Sequence, residues 1–332
     1  MSDYLLNIAI GPVQGFIAAA RRTRDLWFGS YVLSEISKAV AHSLQKEGCR
    51  LIFPSPSSDQ ELNPDSQLNV ANKILAQVPE KLDPQTLASQ SRQAAQNRWK
   101  EFAQETYEQS SEAIRKDIWD EQIEDVIEFY SAWVPLEQDY KFSRERVEHL
   151  LAGRKALRDF LPAKGKAKIP KSSLDGARES VLSDPKKMGG EARGKARLKE
   201  NEQLDSVGLV KRLARKPETQ LVSVSRIAVD PWIRCADRIP EAEEKLQSIV
   251  ELCHPDFSNK ISDETFASFP IDGEIVLPSR LETMLKDSDK DDSDLKKHRE
   301  TFGKIENILE SLIRKRSEER RVGKECRSRG SP

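Results

Sequence analysis

The stretch that decides the fold is residues 5–34, LLNIAIGPVQGFIAAARRTRDLWFGSYVLS. Leu5–Ile10 has the pattern of an apolar strand, which ends at a Gly-Pro pair and leads into a helix predicted over about Val13–Arg24. The first turn of this helix contains Gln14 and Gly15 but no carboxylate. Helix N-termini attract phosphates, whereas metal-dependent phosphoryl chemistry needs Asp or Glu at such a turn. Taken alone, the turn also fits a tight connection that only starts a packed helix.

The composition indicates two domains with ordinary cores. The 332 residues are 37% hydrophobic and only 6% aromatic, which leaves a sizeable polar remainder. No apolar run approaches the roughly 20 residues of a membrane span, and the N-terminus lacks a signal-peptide pattern. We therefore expect a cytoplasmic protein without a membrane partner. The cysteines Cys49, Cys235, Cys253 and Cys326 are too scattered for a zinc site or a disulfide framework, so we expect buried free thiols.

Further strand and helix patterns follow the opening stretch. A second helix carries one apolar face from Phe28 to Leu44 and ends at Gly48. Strand patterns occupy Arg50–Phe53, Lys73–Val78 and Glu128–Leu136, and helical patterns occupy Asp83–Glu128, Tyr140–Phe160 and Glu241–Leu252. Strands separated by helices around a small antiparallel sheet predict the ferredoxin-like arrangement. The fold class expected is α+β, a ferredoxin-like domain with long helical insertions, followed by a mainly helical segment.

Two charged regions allow more than one interpretation. Lys164–Lys216 contains fifteen Lys and Arg residues against seven Asp and Glu residues. Such a run is typical of a solvated or flexible face, and it also suits contact with nucleic acid or nucleotide. The second region, Arg21–Asp25, reads as a solvated charge cluster.

Residues that could carry chemistry are sparse. The histidines His42, His149, His254 and His298 are isolated from one another, so a nuclease of the paired His-Asp type is not indicated. Residues 253–256, CHPD, fit a helix cap better than a metal site. No Gly-Gly-Asp-Asp segment is present to hold Mg²⁺ at a hairpin tip. We predict no catalytic residue and no metal ligand in this sequence.

The last residues, 316–332, have a different character. Their sequence, RSEERRVGKECRSRGSP, is almost entirely polar and closely resembles the translated sequence of a common sequencing-library adapter. We exclude it from the fold, as a fusion scar is excluded. We therefore expect a mildly acidic natural sequence that is truncated after Lys315.

The order of the motifs points to a family. IGPVQGFIAAARRTRDLWFGSYVLS resembles the signature of the large, polymerase/cyclase-like subunit of type III-B CRISPR effector complexes. The later segments keep the same order: NVANKILAQVP, YSAWVPLEQDY, GRKALRDF, KSSLDGARESVL, NEQLDSVGLVKRL, VSRIAVDPWIR and FPIDGEIVLPSRLE. Together they cover Leu5 to about Leu285.

The resemblance implies a division of the chain. Such subunits have two ferredoxin-like palms separated by a small domain and followed by a helical domain. Residues 1–160 would be the first, non-catalytic palm, 161–220 a basic and partly flexible connector, 221–315 the start of the inter-palm or second-domain region, and 316–332 the adapter artefact. The Gly-Gly-Asp-Asp hairpin of the second palm and the His-Asp nuclease domain are missing from this sequence. The small zinc element of the family is not expected either, because KSSLDGARESVL has Ser and Asp where paired cysteines would stand.

The resemblance also gives the opening turn a role. A palm without carboxylates at the end of its first strand would cradle a nucleotide without activating it. The predicted nucleotide-binding residues are Gln14, Gly15 and Phe16, through backbone N–H groups near the triphosphate, with Ser30 and Ser34 as nearby polar groups.

Two functions remain open at this stage. In the first, the complete protein serves antiviral defence, binds ATP and Mg²⁺ between two palms, and makes cyclic oligoadenylate when target RNA is recognised. Its partners would be the other type III-B subunits, with crRNA and target RNA reached through the complex. In the second, the chain is a non-catalytic scaffold that binds RNA–protein partners. Under both, this polypeptide by itself is expected to be inactive.

Overall fold

The chain divides into two compact units, Met1–Pro217 and Glu218–Pro332, in a computed structural model. The residues that the structure describes are 3–157, 166, 168–184, 187–189, 192, 196, 198, 201–214, 222, 224–236, 238, 240–253, 261, 266, 269–271 and 296–312. The predicted adapter-like segment 316–332 lies outside them. The first unit extends past the domain boundary predicted at residue 160 and includes the described part of the basic stretch.

The first unit begins with alternating strands and helices. The elements are β1 (Tyr4–Gly11), α1 (Gln14–Ala18), α2 (Thr23–Lys46), β2 (Arg50–Phe53), β3 (Lys73–Val78), α3 (Pro84–Ser110), α4 (Lys116–Glu124), β4 (Glu128–Pro135), α5 (Tyr140–Ala156) and α6 (Ser206–Leu213). Two 3₁₀ turns, Asp59–Leu62 and Ser111–Ala113, interrupt the connections. The strands and the main helices confirm the predicted elements of this unit.

The strands form one antiparallel sheet in the order β2-β3-β1-β4. In the centre, Ile8 of β1 pairs with Ile74 of β3 on one side and with Ser131 of β4 on the other. The α+β fold class is therefore confirmed, and the element order β-α-β-β-α-β is that of the ferredoxin-like arrangement. The assignment of this unit as a polymerase palm stays a prediction.

Alternation along β1 separates two apolar layers. Leu6, Ile8 and Ile10 pack into the large core beneath α2 and α3. Leu5 and Ala9 face the opposite side, where α5 covers the sheet with a narrow buried stripe of Ser143, Val147 and Leu151. The sheet is thus covered on both faces, thickly on one and thinly on the other.

Aspartates begin the helices that frame these layers. Asp83 accepts from the N–H of Thr86 at 2.9 Å to cap α3, whose first residue is Pro84. Asp139 caps α5 and Asp205 caps α6 in the same way. These side chains satisfy N–H groups that have no partner inside the helix.

The opening helix differs from its prediction. A single helix over about Val13–Arg24 was expected, but α1 ends at Ala18 and α2 starts at Thr23. No Gly or Pro lies between them. The sequence-local signals for a helix end are therefore missing, and the cause of the break lies elsewhere in the fold, as the site geometry below shows.

The described part of the second unit is mainly helical, as predicted. It contains α7 (Val224–Ala236), α8 (Pro240–Leu252) and α9 (296–312), whose apolar faces share one core. Arg226 is buried there, pairs with Asp230 at 2.6 Å and donates to the carbonyl of Phe269 at 3.2 Å. The ion pair and this hydrogen bond offset part of the cost of burying the charge.

The cysteines follow their prediction only in part. Cys49 is buried and Cys253 is partly buried, and burial raises the pKa of both thiols, to about 11 and about 12. Cys235 is exposed, contrary to the expectation of buried thiols, because α7 turns it toward solvent. Cys326 lies outside the described residues.

Candidate nucleotide-binding turn

The candidate turn connects β1 to α1. Gly11, the last residue of β1, stands opposite Glu128 of β4, and the Gly11–Pro12 peptide is cis. A Cβ atom at Gly11 would lie 3.2 Å from Oε2 of Glu128, so the close pairing of these strands favours glycine. Proline has no N–H to continue the ladder, and the strand ends there.

Gln14 and Gly15 are exposed at the start of α1, as the nucleotide prediction requires. The first hydrogen bond of this turn runs from the N–H of Ile17 to the carbonyl of Val13 at 3.0 Å. The N–H groups of Gln14, Gly15 and Phe16 precede it and have no acceptor within the helix. Apart from the neighbours of Gly15 and the backbone of α1, no heavy atom of a described residue lies within 4 Å of a Cβ built on Gly15, so the space beside it is open.

Phe16 takes part in the turn through its backbone alone. Its side chain is buried, and its ring meets Trp99 of α3 edge-on with 5.9 Å between the ring centroids. The aromatic contact attaches the short helix α1 to the large core, because such edge-on pairs are favourable beyond the area they bury.

The two predicted serines occupy different environments. Ser30 is exposed on α2. Ser34 is only 7% exposed, and its Oγ accepts from the N–H of Val70 at 2.8 Å. Ser34 therefore holds the loop before β3 and does not share the exposed surface of Gln14 and Gly15.

Sequence reasoning missed Lys211, although the segment that contains it was one of the ordered motifs. Lys211 lies on α6 and is 1% exposed. Its ammonium donates to the carbonyls of Phe16 and Ala19, the latter at 3.1 Å, and lies 4.8 Å from the centroid of the Phe16 ring. These carbonyls are at the end of α1, where no helical N–H remains to meet them. The interaction explains why the helix stops without Gly or Pro.

Arg212, the next residue, was also missed and is equally buried. Its guanidinium pairs with Asp25 of α2 at 2.6 Å and with Glu202 at 2.8 Å. Asp25 is only 2% exposed, so the expected solvated charge cluster at Arg21–Asp25 is wrong for this residue. The reason is a partner 187 residues away in sequence, which no local pattern reveals.

The buried charges have shifted pKa values. Burial lowers the pKa of Lys211 to about 8, against the opposing influence of Asp205 and Asp25. Burial raises the pKa of Asp25, and Arg212 opposes that rise through its charge and its hydrogen bond. The region behind the turn is thus a desolvated layer of charges in which Arg212 is paired with carboxylates and Lys211 with carbonyls.

A separate cavity of about 310 Å³ lies between α2, α3 and the 3₁₀ turn Asp59–Leu62. Its wall includes the ion pairs that Glu35 forms with Lys38 and, at 2.6 Å, with Arg98. His42 also lines it, and burial, aided by the charge of Lys46, lowers the pKa of that imidazole. None of the predicted nucleotide residues line this cavity.

The described residues do not offer a magnesium site at the turn. Glu128 is the carboxylate that contacts Gly11, and it accepts from the hydroxyl of Tyr130 at 3.2 Å. Within the described ranges, no three His, Cys, Asp or Glu side chains are grouped to hold a metal ion. One carboxylate does not fit the two-metal chemistry of a polymerase site.

Across the same described residues, no helix is both long and apolar enough to cross a membrane.

Comparison with known families identifies the segment that contains this turn. Residues 5–104 match the family model described as CRISPR-associated protein Cmr2, N-terminal. Over these residues the chain is similar to the N-terminal region of Cmr2. The Cmr2 segment includes β1, the turn, α2, the hairpin of β2 and β3, and most of α3. No curated protein matches the chain.

Solved structures resemble the chain at low sequence identity. A type III-B Cmr-beta complex bound to cognate target RNA contains a chain with 16% identity and a TM-score of 0.47 over 79% of this chain. Apo Csm1–Csm4 gives 16% identity and a TM-score of 0.29, and Csm1–Csm4 with cA4 gives 14% and 0.27, each over 47% of this chain. The chain spans 39%, 18% and 19% of these three proteins.

Proposed function

We propose that this chain is the first palm and the following segment of a type III-B CRISPR effector large subunit, and that its β1–α1 turn binds the phosphates of ATP. The Cmr2 match over residues 5–104 supports the assignment. The observation that carries the nucleotide role is the exposed turn at Gln14 and Gly15, with N–H groups left unsatisfied by α1 and open space in front of them.

In this proposal, the turn binds a nucleotide and does not activate it. The backbone N–H groups of Gln14, Gly15 and Phe16 donate to phosphate oxygens, and Ser30 is a further donor on α2. The complete protein supplies a second palm, binds ATP with Mg²⁺ between the palms, and makes cyclic oligoadenylate in the cytoplasm after target RNA is recognised. Other type III-B subunits and crRNA are its partners.

ATP binding to the complete subunit, measured by calorimetry, tests the turn. Gly15→Asp puts a carboxylate where phosphate would lie, and it introduces no clash because the space at Gly15 is open. We expect the Kd for ATP to rise at least tenfold. Gly153→Asp is the matched control, since Gly153 of α5 is equally exposed and has equally open space. Equal affinities of the two variants would contradict the proposal.

A scaffold role is the second candidate. The basic stretch Lys164–Lys216 favours it, but Lys211 and Arg212 of that stretch are buried and engaged within the unit, so they do not add to an RNA-binding surface. Incubation of this chain with ATP and Mg²⁺ should give no oligoadenylate under either function. If the complete subunit also makes none while it still assembles with its partners, the scaffold role is the one supported.

A further inference from the structure

We propose that Lys211 is a positioning residue for the β1–α1 turn: its buried ammonium bonds the carbonyls of Phe16 and Ala19 and thereby fixes the direction of the N–H groups that face the nucleotide. The inference rests on the proposed function of the turn. It assigns to α6, at the end of the basic stretch, a part in setting nucleotide affinity.

Helix α1 cannot hold itself in place. It has only five residues, and helices that short are unstable without tertiary contacts. Its N-terminal residues Gln14 and Gly15 are exposed, whereas its C-terminal carbonyls are bound by Lys211. A short rigid element that is fixed at one end keeps its direction at the other, so the ammonium orients the N–H groups without touching the ligand.

Helix α6, which carries Lys211, is itself anchored by several hydrogen bonds and an ion pair. Asp205 caps it by accepting from the N–H of Gly208 at 2.8 Å, and Oε1 of Gln122 accepts from the N–H of Ser206 at 2.9 Å. Arg212 ties the same helix to α2 through Asp25 at 2.6 Å. These bonds are made independently of Lys211, so the helix retains anchors when Lys211 is changed.

The surroundings of Lys211 leave room for its side chain to reach α1. Its ammonium lies over the ring of Phe16, and a Cβ atom on Gly29 would come within 3.1 Å of its Cε. Glycine at position 29 of α2 therefore leaves room for the lysine stem to reach α1. Unlike Lys38, which is also 1% exposed, Lys211 forms no ion pair with a carboxylate among the described residues. Its ammonium instead donates hydrogen bonds to the carbonyls at the end of α1.

Lys38 provides the matched control. Its ammonium pairs with Glu35 and donates to the carbonyl of Ser66 at 3.1 Å, so it holds the loop before β3 and not α1. Lys38→Met and Lys211→Met remove the same charge from equally buried positions. A general loss of stability would affect both variants, whereas a positioning effect on the turn would appear only in the second.

The experiment combines hydrogen exchange with ATP binding in the complete subunit. For Lys211→Met we expect faster exchange of amides 14–22 and a Kd for ATP at least tenfold higher, with Lys38→Met within twofold of the parent in both. Gly29→Ala should give an intermediate effect by displacing the lysine stem, and it replaces Lys211→Met if that variant does not fold.

The other outcomes separate the two proposals. Unchanged exchange in residues 14–22 overturns the positioning role. Faster exchange with unchanged ATP affinity overturns the link to nucleotide binding, because the turn would then bind without its support. If the parent binds no ATP, the proposed function fails and the nucleotide part of this inference fails with it, while the exchange data still decide whether Lys211 fixes α1.

Discussion

The two faces of the sheet differ in what they bury. On one face, α2, α3 and α6 cover a large apolar core, and the buried charges Asp25, Lys211 and Arg212 lie behind the candidate turn. On the other, α5 covers the sheet with Val147 and Leu151 alone as its buried apolar residues. Conformational specificity near the turn is therefore built on charge and aromatic packing, whereas the α5 face only closes the sheet.

The largest effect on stability is expected on the face of the sheet that α2 and α3 cover, next to the candidate turn. Trp99 is 1% exposed, its ring contacts Phe16, and its indole N–H donates to the carbonyl of Ile123 at 3.1 Å. We expect Trp99→Ala to lower the free energy of unfolding by about 4 kcal/mol, through lost burial and a cavity. Urea denaturation followed by circular dichroism measures it. A loss below about 1 kcal/mol would show that this face is not the dominant core.

The buried charge predicts a pH dependence on the same face. The pKa of Lys211 is about 8 in the folded chain, below its ordinary value of 10.5, so between these values the unfolded state binds the proton more strongly. The contribution of Lys211 to the free energy of unfolding should therefore rise with pH from 8 to 10.5, by roughly 3 kcal/mol for a shift of this size. The carboxylates that face it, Asp25, Asp175 and Asp205, already oppose the lowering of its pKa. The thiols of Cys49 and Cys253 contribute with the opposite sign in this range, because burial raises their pKa.

Lys211→Met isolates this effect. The difference between the parent and the variant removes the contributions of other groups that titrate in the same range, including the tyrosines. We expect the free energy of unfolding of the parent to gain roughly 3 kcal/mol relative to that of Lys211→Met between pH 8 and 10.5. Parallel plots of unfolding free energy against pH for the two proteins would mean that Lys211 is not desolvated in solution. The two faces of the sheet would then not differ through the desolvation of this charge.

A smaller effect on stability is expected on the face of the sheet that α5 covers. Leu151 of α5 is 3% exposed and packs on β1 and β4. Leu151→Ala should lower the free energy of unfolding by about 2 kcal/mol, at the low end for such changes because a peripheral helix can settle onto the sheet. Leu157 is 68% exposed, so Leu157→Ala should change it by less than about 0.5 kcal/mol. Equal losses of unfolding free energy in Leu151→Ala and Leu157→Ala would contradict the assignment of Leu151 to the buried layer beneath α5.

The sequence allowed the sheet and most helices to be predicted because their signals are local. The apolar run Leu5–Ile10 and the proline after Gly11 define β1 and its end. The break after Ala18 could not be predicted, because the ammonium that ends α1 comes from a residue 192 positions away. Basic composition likewise suggested a solvated stretch, yet Lys211 and Arg212 are buried, since their partners become apparent only in the folded chain.

Asn7 is a buried polar residue on the face of the sheet that α5 covers. It lies in the middle of β1 on the α5 side and is 0% exposed, and neither side-chain atom has a hydrogen-bond partner among the described residues. An unsatisfied buried amide costs free energy, so Asn7→Leu, which keeps the branched shape, should raise the free energy of unfolding by about 1 kcal/mol.

Gln122 is the control of opposite sign for Asn7. Its amide is also buried, but it donates to the carbonyl of Glu179 at 2.8 Å and accepts from Ser206 at 2.9 Å. Gln122→Met leaves the carbonyl of Glu179 and the N–H of Ser206 without their hydrogen-bond partner. It should therefore lower the free energy of unfolding by about 2 kcal/mol. If Asn7→Leu instead destabilises the chain, Asn7 has a partner in solution, such as a bound water, and the α5 face is more polar than its packing indicates.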